Sequence, residues 1–488
     1  MKKVLFSHSY FLRFDPKQWE AGQPYPPLGT LYAASLLRER NHQVYLFDTM
    51  FANGPDDILP GIEKNDPDLL VLYDDGFNYL TKMCLSNMRQ ASFKMIKHAK
   101  KKGCVVIVSS SDASDHYERY LQEGADFVLI GEAENTLCEL TDALEFHQPD
   151  LISIPGIAYK KDGATIKTAK RPVIRDLDAL PFPAWDLVDM ASYRKMWLKH
   201  RGYFSLNMTT TRGCPFKCNW CAKPIYGNRY NSRSPANVVA ELLHLKQHYH
   251  FDHIWFCDDI FGLKPGWVNE FAGLLQKAGL RFPFKIQARA DLLVQENYVR
   301  DLASAGCDNA WLGAESGSQR ILDAMEKGTT IGQIKEATSL LKNHDIRPSF
   351  FIQFGYPGET RDDIGRTIQM INELLPDEIG ISVSYPLPGT AFYERVKSDL
   401  QSKTNWTDSN ELALMFRNTF SPAFYKQLYR YVHKSHRLHV SIQHLRNLLH
   451  RPHATSVHKL KKSLSVFYYA PTSWIERIKL AALEIPKT

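Results

Sequence analysis

Thr211-Arg212-Gly213-Cys214-Pro215-Phe216-Lys217-Cys218-Asn219-Trp220-Cys221 sets three cysteines in a C-x3-C-x2-C run, with no fourth cysteine or histidine at metal-ligand spacing after it. A structural zinc site closes a tetrahedron with four protein ligands. Three thiolates on a 4Fe-4S cubane instead leave one iron open to bind something chemical. The run therefore points to a catalytic iron-sulfur cluster on Cys214, Cys218 and Cys221 rather than to the zinc knuckle that C-x-x-C pairs also form.

The run resembles the cluster loop of the radical S-adenosylmethionine (SAM) enzymes, including the aromatic Trp220 just before the last cysteine. The resemblance implies that the open iron chelates the amino and carboxylate groups of SAM and passes an electron to its sulfonium, so that a 5′-deoxyadenosyl radical forms. It also implies a flavodoxin or ferredoxin-type reductant. In such enzymes the cofactors carry the chemistry and the protein positions them.

Around the run, residues 201 to 395 alternate strand and helix patterns. Candidate strands are Phe204 to Thr209, His253 to Cys257, Phe284 to Ala288, Asn309 to Gly313, Pro348 to Phe354 and Ile379 to Tyr385. Six strands suggest the partial (β/α)6 barrel of the radical SAM enzymes, with its site at the C-terminal strand ends. Those ends are polar: Cys257-Asp258-Asp259, Arg289 with Asp291, Glu315 to Ser318, and Gln353 to Gly358. Gly313 to Ser318 resembles the family segment that binds the SAM ribose or methionyl end, and Phe350 to Glu359 the segment lining the adenine. The resemblance makes Trp220, Asp258, Arg289, Gly313, Glu315, Ser316 and Gln353 candidates for the SAM site. Structural salt bridges at a barrel rim are the alternative for Asp258, Arg289 and Glu315.

Residues 1 to 150 read as a doubly wound, Rossmann-like α/β domain. Candidate strands are Lys3 to Ser7, Gln43 to Asp48, Leu69 to Tyr73, Val105 to Ser109 and Phe127 to Ile130, and Pro26-Pro27-Leu28-Gly29 opens a helix. The loops after Ser7, Tyr73 and Ser109 should form one ligand-binding rim. Pro26 to Ala34, followed later by Gly131-Glu132-Ala133-Glu134, resembles the cobalamin-binding domain of the cobalamin-dependent radical SAM enzymes. That resemblance makes Pro27, Leu28, Gly29, Ser109, Ser110, Gly131 and Glu132 candidates for holding cobalamin. No G-x-G-x-x-G follows the first strand, so a dinucleotide site is poorly supported. The D-x-H-x-x-G motif that ligates cobalt from below in other cobalamin domains is also absent, and Asp115-His116 lacks its spacing. The expected cobalt is therefore not His-ligated.

Residues 151 to 200 read as a connector, with a hairpin around Asp162-Gly163 and a proline-rich Pro181-Phe182-Pro183-Ala184-Trp185. Residues 396 to 488 form a basic helical region. Between Leu412 and Trp474 there are ten Lys and Arg, seven His and no acidic residue. This region either packs across the barrel mouth with a solvated basic face or meets an anionic lipid or partner surface. It shows no nucleic-acid-binding module.

The 488 residues, 44% of them hydrophobic, suit two or three domains. No leader pattern and no apolar stretch of about 18 residues stands out, so a cytoplasmic protein is expected. Eight cysteines in so long a chain do not form a disulfide framework. Together these features predict a cobalamin-dependent radical SAM enzyme, a methyltransferase or cyclase acting on an unactivated carbon of a small-molecule or lipid-like substrate. The alternatives are a radical SAM enzyme without cobalamin and a non-catalytic iron-sulfur binding protein.

Overall fold

The computed structural model describes residues 1–83, 85–145, 150–221, 225–400, 405–450 and 457–483. Five short apolar runs form the parallel strands β1 (Lys3–Ser7), β2 (Gln43–Phe47), β3 (Leu69–Tyr73), β4 (Val105–Ser109) and β5 (Phe127–Leu129). Two more strands, β6 (Ile157–Lys161) and β7 (Ala164–Lys167), add antiparallel to β5, giving the order 2-1-3-4-5-6-7. The hairpin of the connector thus extends the front sheet. β3 is buried along its whole length, as expected of a central strand covered by helices on both faces.

The second sheet holds β8 (Ser205–Met208), β11 (His253–Phe256), β12 (Phe284–Ala288), β13 (Cys307–Glu315), β14 (Arg347–Phe354) and β15 (Ile379–Val383), all parallel and in sequential order. It is the six-stranded half-barrel predicted from the strand-helix alternation. A two-residue ribbon, β9 (Thr211–Arg212) against β10 (Asn231–Ser232), clamps the base of the cysteine loop. The alternation of side chains along the strands decides what faces outward. Leu206, Ile254, Phe284, Ile286, Ala310, Leu312, Phe350 and Ile352 are at most 1% exposed beneath the helices.

The rest of the connector is helical. Met190–Arg201 starts at Asp189, whose carboxylate accepts from the Ser192 N–H, and stops at Gly202 in the left-handed conformation. It ties the two domains, since the Tyr193 hydroxyl donates to Asp48 (2.7 Å) and Trp197 Nε1 donates to the Pro24 carbonyl (2.7 Å).

The C-terminal helices do not lie across the barrel mouth. Pro422–His450 runs down the outside of the last strand and its helix, with Tyr425 beside Gly355 near the top and His436 against the Pro376 carbonyl lower down. Its register follows from burial of Phe424, Tyr425, Leu428 and Val432, a spacing that puts one apolar stripe on the barrel flank. Val457–Leu464 and Val466–Leu483 follow it, and Glu476 of the last helix accepts from Gln427 and Lys434 (both 2.6 Å). No described helix is long and apolar enough to cross a membrane.

Candidate functional site

The cysteine loop leaves β9 through Gly213, whose φ of 80° and missing side chain let the chain pass the Arg229 carbonyl, which a Cβ would overlap. Asp258, at the end of β11, anchors the base of this loop. Its Oδ1 accepts from the Thr209 hydroxyl (3.0 Å) and from the Thr210 and Thr211 N–H groups (2.7 Å each), and its Oδ2 from the Thr210 hydroxyl (2.7 Å). Burial pushes this carboxyl up to about 6 while the hydrogen bonds oppose the shift. With four such bonds, Asp258 holds the base of the cysteine loop.

Cys214 is buried, and Cys218 and Cys221 are half-buried. Burial, Asp259 and the charges of Cys218 and Cys214 push the Cys221 thiol up to about 12. Crowded thiolates of this kind are relieved by a bound cation. They are not drawn onto one point: among the described residues no three His, Cys, Asp or Glu side chains stand as a ready metal-ion cage. Two cations sit beside them. Arg289 lies over the Phe216 ring at 3.6 Å with Nη1 4.0 Å from Cys218 Sγ, braced by Asp291 (2.9 Å) and the Lys327 carbonyl (2.9 Å). Lys327 donates to Glu315 (2.8 Å) and lies 5.8 Å from the Trp220 ring. Against burial, the charges of Glu315 and Cys218 hold its ammonium above the usual lysine range. The donor set fits an anionic thiolate-ligated cluster, with positive charge on its rim.

Glu315 reaches this position by strain. The pairing of β13 with β14 slips between Gly313 and Glu315, and Glu315 adopts φ 56°. A bulge of this kind re-aims a side chain. Gly313 leaves the room: a Cβ there would lie 2.5 Å from Lys327 Nζ and 2.8 Å from Glu315 Oε1. Two other SAM candidates have partners within the barrel. The Ser316 and Thr367 hydroxyls are 3.1 Å apart, and Gln353 Nε2 donates to the Ser384 hydroxyl at 2.8 Å. Trp220 Nε1 is buried with no hydrogen-bond partner.

On the front sheet, Pro27 precedes the helix Leu28–Glu39, Leu28 is fully buried, and the Gly29 N–H donates to Asp75 Oδ1 at 3.1 Å. The Ser109 carbonyl accepts from the Asp74 N–H, and the Ser110 hydroxyl caps the helix Ser111–Asp115. Gly131 sits at the end of β5 with φ 78°, and a Cβ there would meet nothing within 4 Å. The rim is open at that point. Near the rim, His8 pairs with Asp48 (2.9 Å) and Thr49, and His116 stands 3.8 Å from Asp112, beyond hydrogen-bond distance.

Glu132 does not face that rim as an unengaged ligand. Its carboxylate and that of Glu134 clasp Arg212, two residues before Cys214, at 2.6 and 2.8 Å. The Arg212 guanidinium is 3% exposed and enclosed by the Tyr32, Phe77 and Tyr226 rings at 5.2 to 5.6 Å. Ion pairs so buried are costly to break. They fix the strand-end rim of one sheet against the cysteine loop of the other.

A second bridge runs from the loop after β3. Lys82 pairs with Asp259 at 2.9 Å. Tyr79 is 53% exposed, yet burial, together with Glu315 and Cys221, raises its phenol pKa. Tyr79 therefore lies within electrostatic reach of the Glu315 carboxylate and the Cys221 thiol. Sequence reading missed Arg212, Lys327, Tyr79 and Lys82, because no local pattern marks a partner that lies in the other domain or, for Lys327, across a bulge.

Residues 208–371 match the radical SAM superfamily, and residues 19–141 match the B12 binding domain. The uncharacterized methyltransferase PH0819 of Pyrococcus horikoshii is 30% identical over 393 residues, covering 78% of this chain and 81% of that one. The anaerobic magnesium-protoporphyrin IX monomethyl ester cyclase of a Synechocystis species is 26% identical over 377 residues, 75% of this chain and 72% of its own. The structure of the cobalamin-dependent S-adenosylmethionine radical enzyme OxsB with aqua-cobalamin bound superposes with a TM-score of 0.74 at 18% identity, over 98% of this chain and 72% of that chain. With both domains matched in this order and a fold shared along nearly its whole length, the chain belongs to the cobalamin-dependent radical SAM enzymes, the methyltransferases and cyclases that use a 4Fe-4S cluster, SAM and cobalamin.

Proposed function

We propose that this enzyme methylates an unactivated carbon of an amphiphilic, lipid-like small molecule held between its two domains. The observation that carries the reading is the Arg212 clasp, which sets the rim of the front sheet and the cysteine loop against one another. When bound, the cluster and SAM supply one-electron hydrogen abstraction, and cobalamin supplies the methyl group.

The chain's own residues bind and orient. Cys214, Cys218 and Cys221 hold the cluster, Arg289 and Lys327 place positive charge beside it, and Glu315, Gly313 and Trp220 surround SAM. Ser316 and Gln353 act indirectly, by fixing the strand ends through Thr367 and Ser384. Gly29, Ser110 and Gly131 shape the cobalamin rim. With the histidine motif absent from the front domain, no protein imidazole is assigned to the cobalamin that the domain would hold. A flavodoxin or ferredoxin-type protein supplies the electron.

The lipid side of the reading rests on the last helix. Phe467, Pro471, Trp474, Ile475 and Ile478 fall at i, i+4, i+7, i+8 and i+11 on one face, with Phe467 75% and Trp474 64% exposed. Ser473, Glu476 and Leu480 are buried on the opposite face, and Arg477 and Lys479 flank the stripe. An apolar stripe edged by cations suits the headgroup layer of an anionic membrane. Wild-type protein should sediment with vesicles of anionic phospholipid and be released by salt, while F467S/W474S should not sediment. Equal sedimentation of the two proteins would overturn the membrane contact. For the reaction, 5′-deoxyadenosine release should rise when a membrane-lipid extract is added to the reduced, cobalamin-loaded enzyme. Stimulation by a lipid-free aqueous extract alone would overturn the substrate class.

A further inference from the structure

The inner face of the half-barrel is not filled. Trp255, Lys285, Gln287, Trp311, Phe351 and Ser382 point inward and all stay partly exposed, whereas their outward neighbours are buried. This lumen is aromatic. The Trp311 and Phe351 rings are 4.7 Å apart, and Tyr25, reaching in from the front domain, lies 4.8 Å from Trp255.

Within it stands one ammonium. Lys285 Nζ lies 4.8 Å from the Trp255 ring and 5.4 Å from the Tyr25 ring, and among the described residues it has no hydrogen-bond acceptor and no ion-pair partner. Burial pushes it down to about 8, with Glu378 and Asp308 acting to raise it and Arg201 to lower it from a distance. A cation held on aromatic walls with no counter-ion leaves its charge to be met by an anionic ligand.

We propose that Lys285 is the anchor for an anionic group of the substrate, a carboxylate, on a flat or apolar body that lies along the barrel lumen. Lys285 is four residues before Arg289, so its Cα lies about 13 Å below the height of the cysteine loop at about 3.3 Å per residue. The anion is therefore remote from the reacting carbon and sets which carbon reaches the thiol end. The inference rests on the proposed function and narrows its substrate to anionic amphiphiles.

Pyrenebutyrate and pyrenebutanol, matched in ring and chain, test it by fluorescence titration of the full chain. The wild type should bind the acid at least about ten-fold more tightly than the alcohol. Lys285→Met should lose that preference while keeping its affinity for pyrenebutanol, and Lys285→Arg should retain it. Should K285M fail to fold, K285Q gives the same comparison. A wild type that binds the two alike, or binds neither, overturns the proposal, as does a preference that survives in the Met or Gln variant. Failure of the wild type to cleave SAM would instead overturn the reading of the enzyme and leave the anion site standing.

Discussion

Replacing Arg212 by Ala removes the cation that, among the described residues, compensates two buried carboxylates. Glu132 and Glu134 lie 2.6 and 2.8 Å from its guanidinium, and all three residues are at most 5% exposed. Breaking a buried pair from one side costs about 3–5 kcal/mol, because the remaining charge stays desolvated. For a domain of 150 to 250 residues each kcal/mol lowers Tm by about 2–4 °C, so a fall of roughly 6–20 °C is expected. Burial and Glu134 already raise the Glu132 carboxyl, with Arg212 opposing them. Without Arg212 the raised carboxyl binds a proton in the folded state that the unfolded chain has shed. Stability then falls as pH rises from the unfolded carboxylate range through the raised value. Differential scanning calorimetry of R212A should therefore show a larger loss at pH 8 than at pH 5. The variant R212M/E132Q/E134Q, which removes all three charges, should recover most of it. A Tm change below about 2 °C at both pH values would refute the reasoning.

Three further outcomes follow from the same geometry. Gly213→Ala forces a Cβ onto the Arg229 carbonyl at positive φ, so iron and sulfide content after reconstitution should fall several-fold, and full loading would count against the tight passage of the loop. Glu359 is fully buried, and burial pushes its carboxyl up to about 8. The wild type should lose stability between about pH 5 and 8, by up to about 1.4 kcal/mol per pH unit, and E359Q should show a shallower slope in thermal melts; equal slopes would contradict this. Cobalt(II) electron paramagnetic resonance of holoprotein carrying 15N-labelled histidine should show no superhyperfine splitting from the label, and a splitting that changes with the label would place a histidine under the cobalt.

The strands were legible because each is a short apolar run bounded by turn residues. The fourth barrel strand is longer than its apolar segment, running Cys307–Glu315 rather than Asn309 to Gly313, because Asp308 and Glu315 break the hydrophobic pattern without breaking the ladder. The helix Met190–Arg201 had a readable signal in Asp189 and Gly202, its two caps, masked by the prolines just before it. The cysteine triplet is local and spelled its own chemistry. Arg212 and Lys82 were silent because their partners come from the other domain, 80 and 177 residues away, and single charges carry no spacing. Asp258 looked like a ligand by position, but four donors from Thr209 to Thr211 occupy it, a fact of the turn that its own residue type does not reveal. Glu132 was placed on cobalamin by its motif, and only the fold shows Arg212 between its oxygens and the cysteine loop.

The central claim is that the cysteine loop drives SAM cleavage while the front sheet holds cobalamin. The direct measurement is 5′-deoxyadenosine release by the anaerobically reconstituted, reduced enzyme, compared with C214A/C218A/C221A loaded with cobalamin in the same way. The account predicts about four iron and four sulfide per chain and product formation in the wild type, and no cluster and no product in the variant although it still shows a cobalamin spectrum. Equal 5′-deoxyadenosine release by both proteins would contradict it.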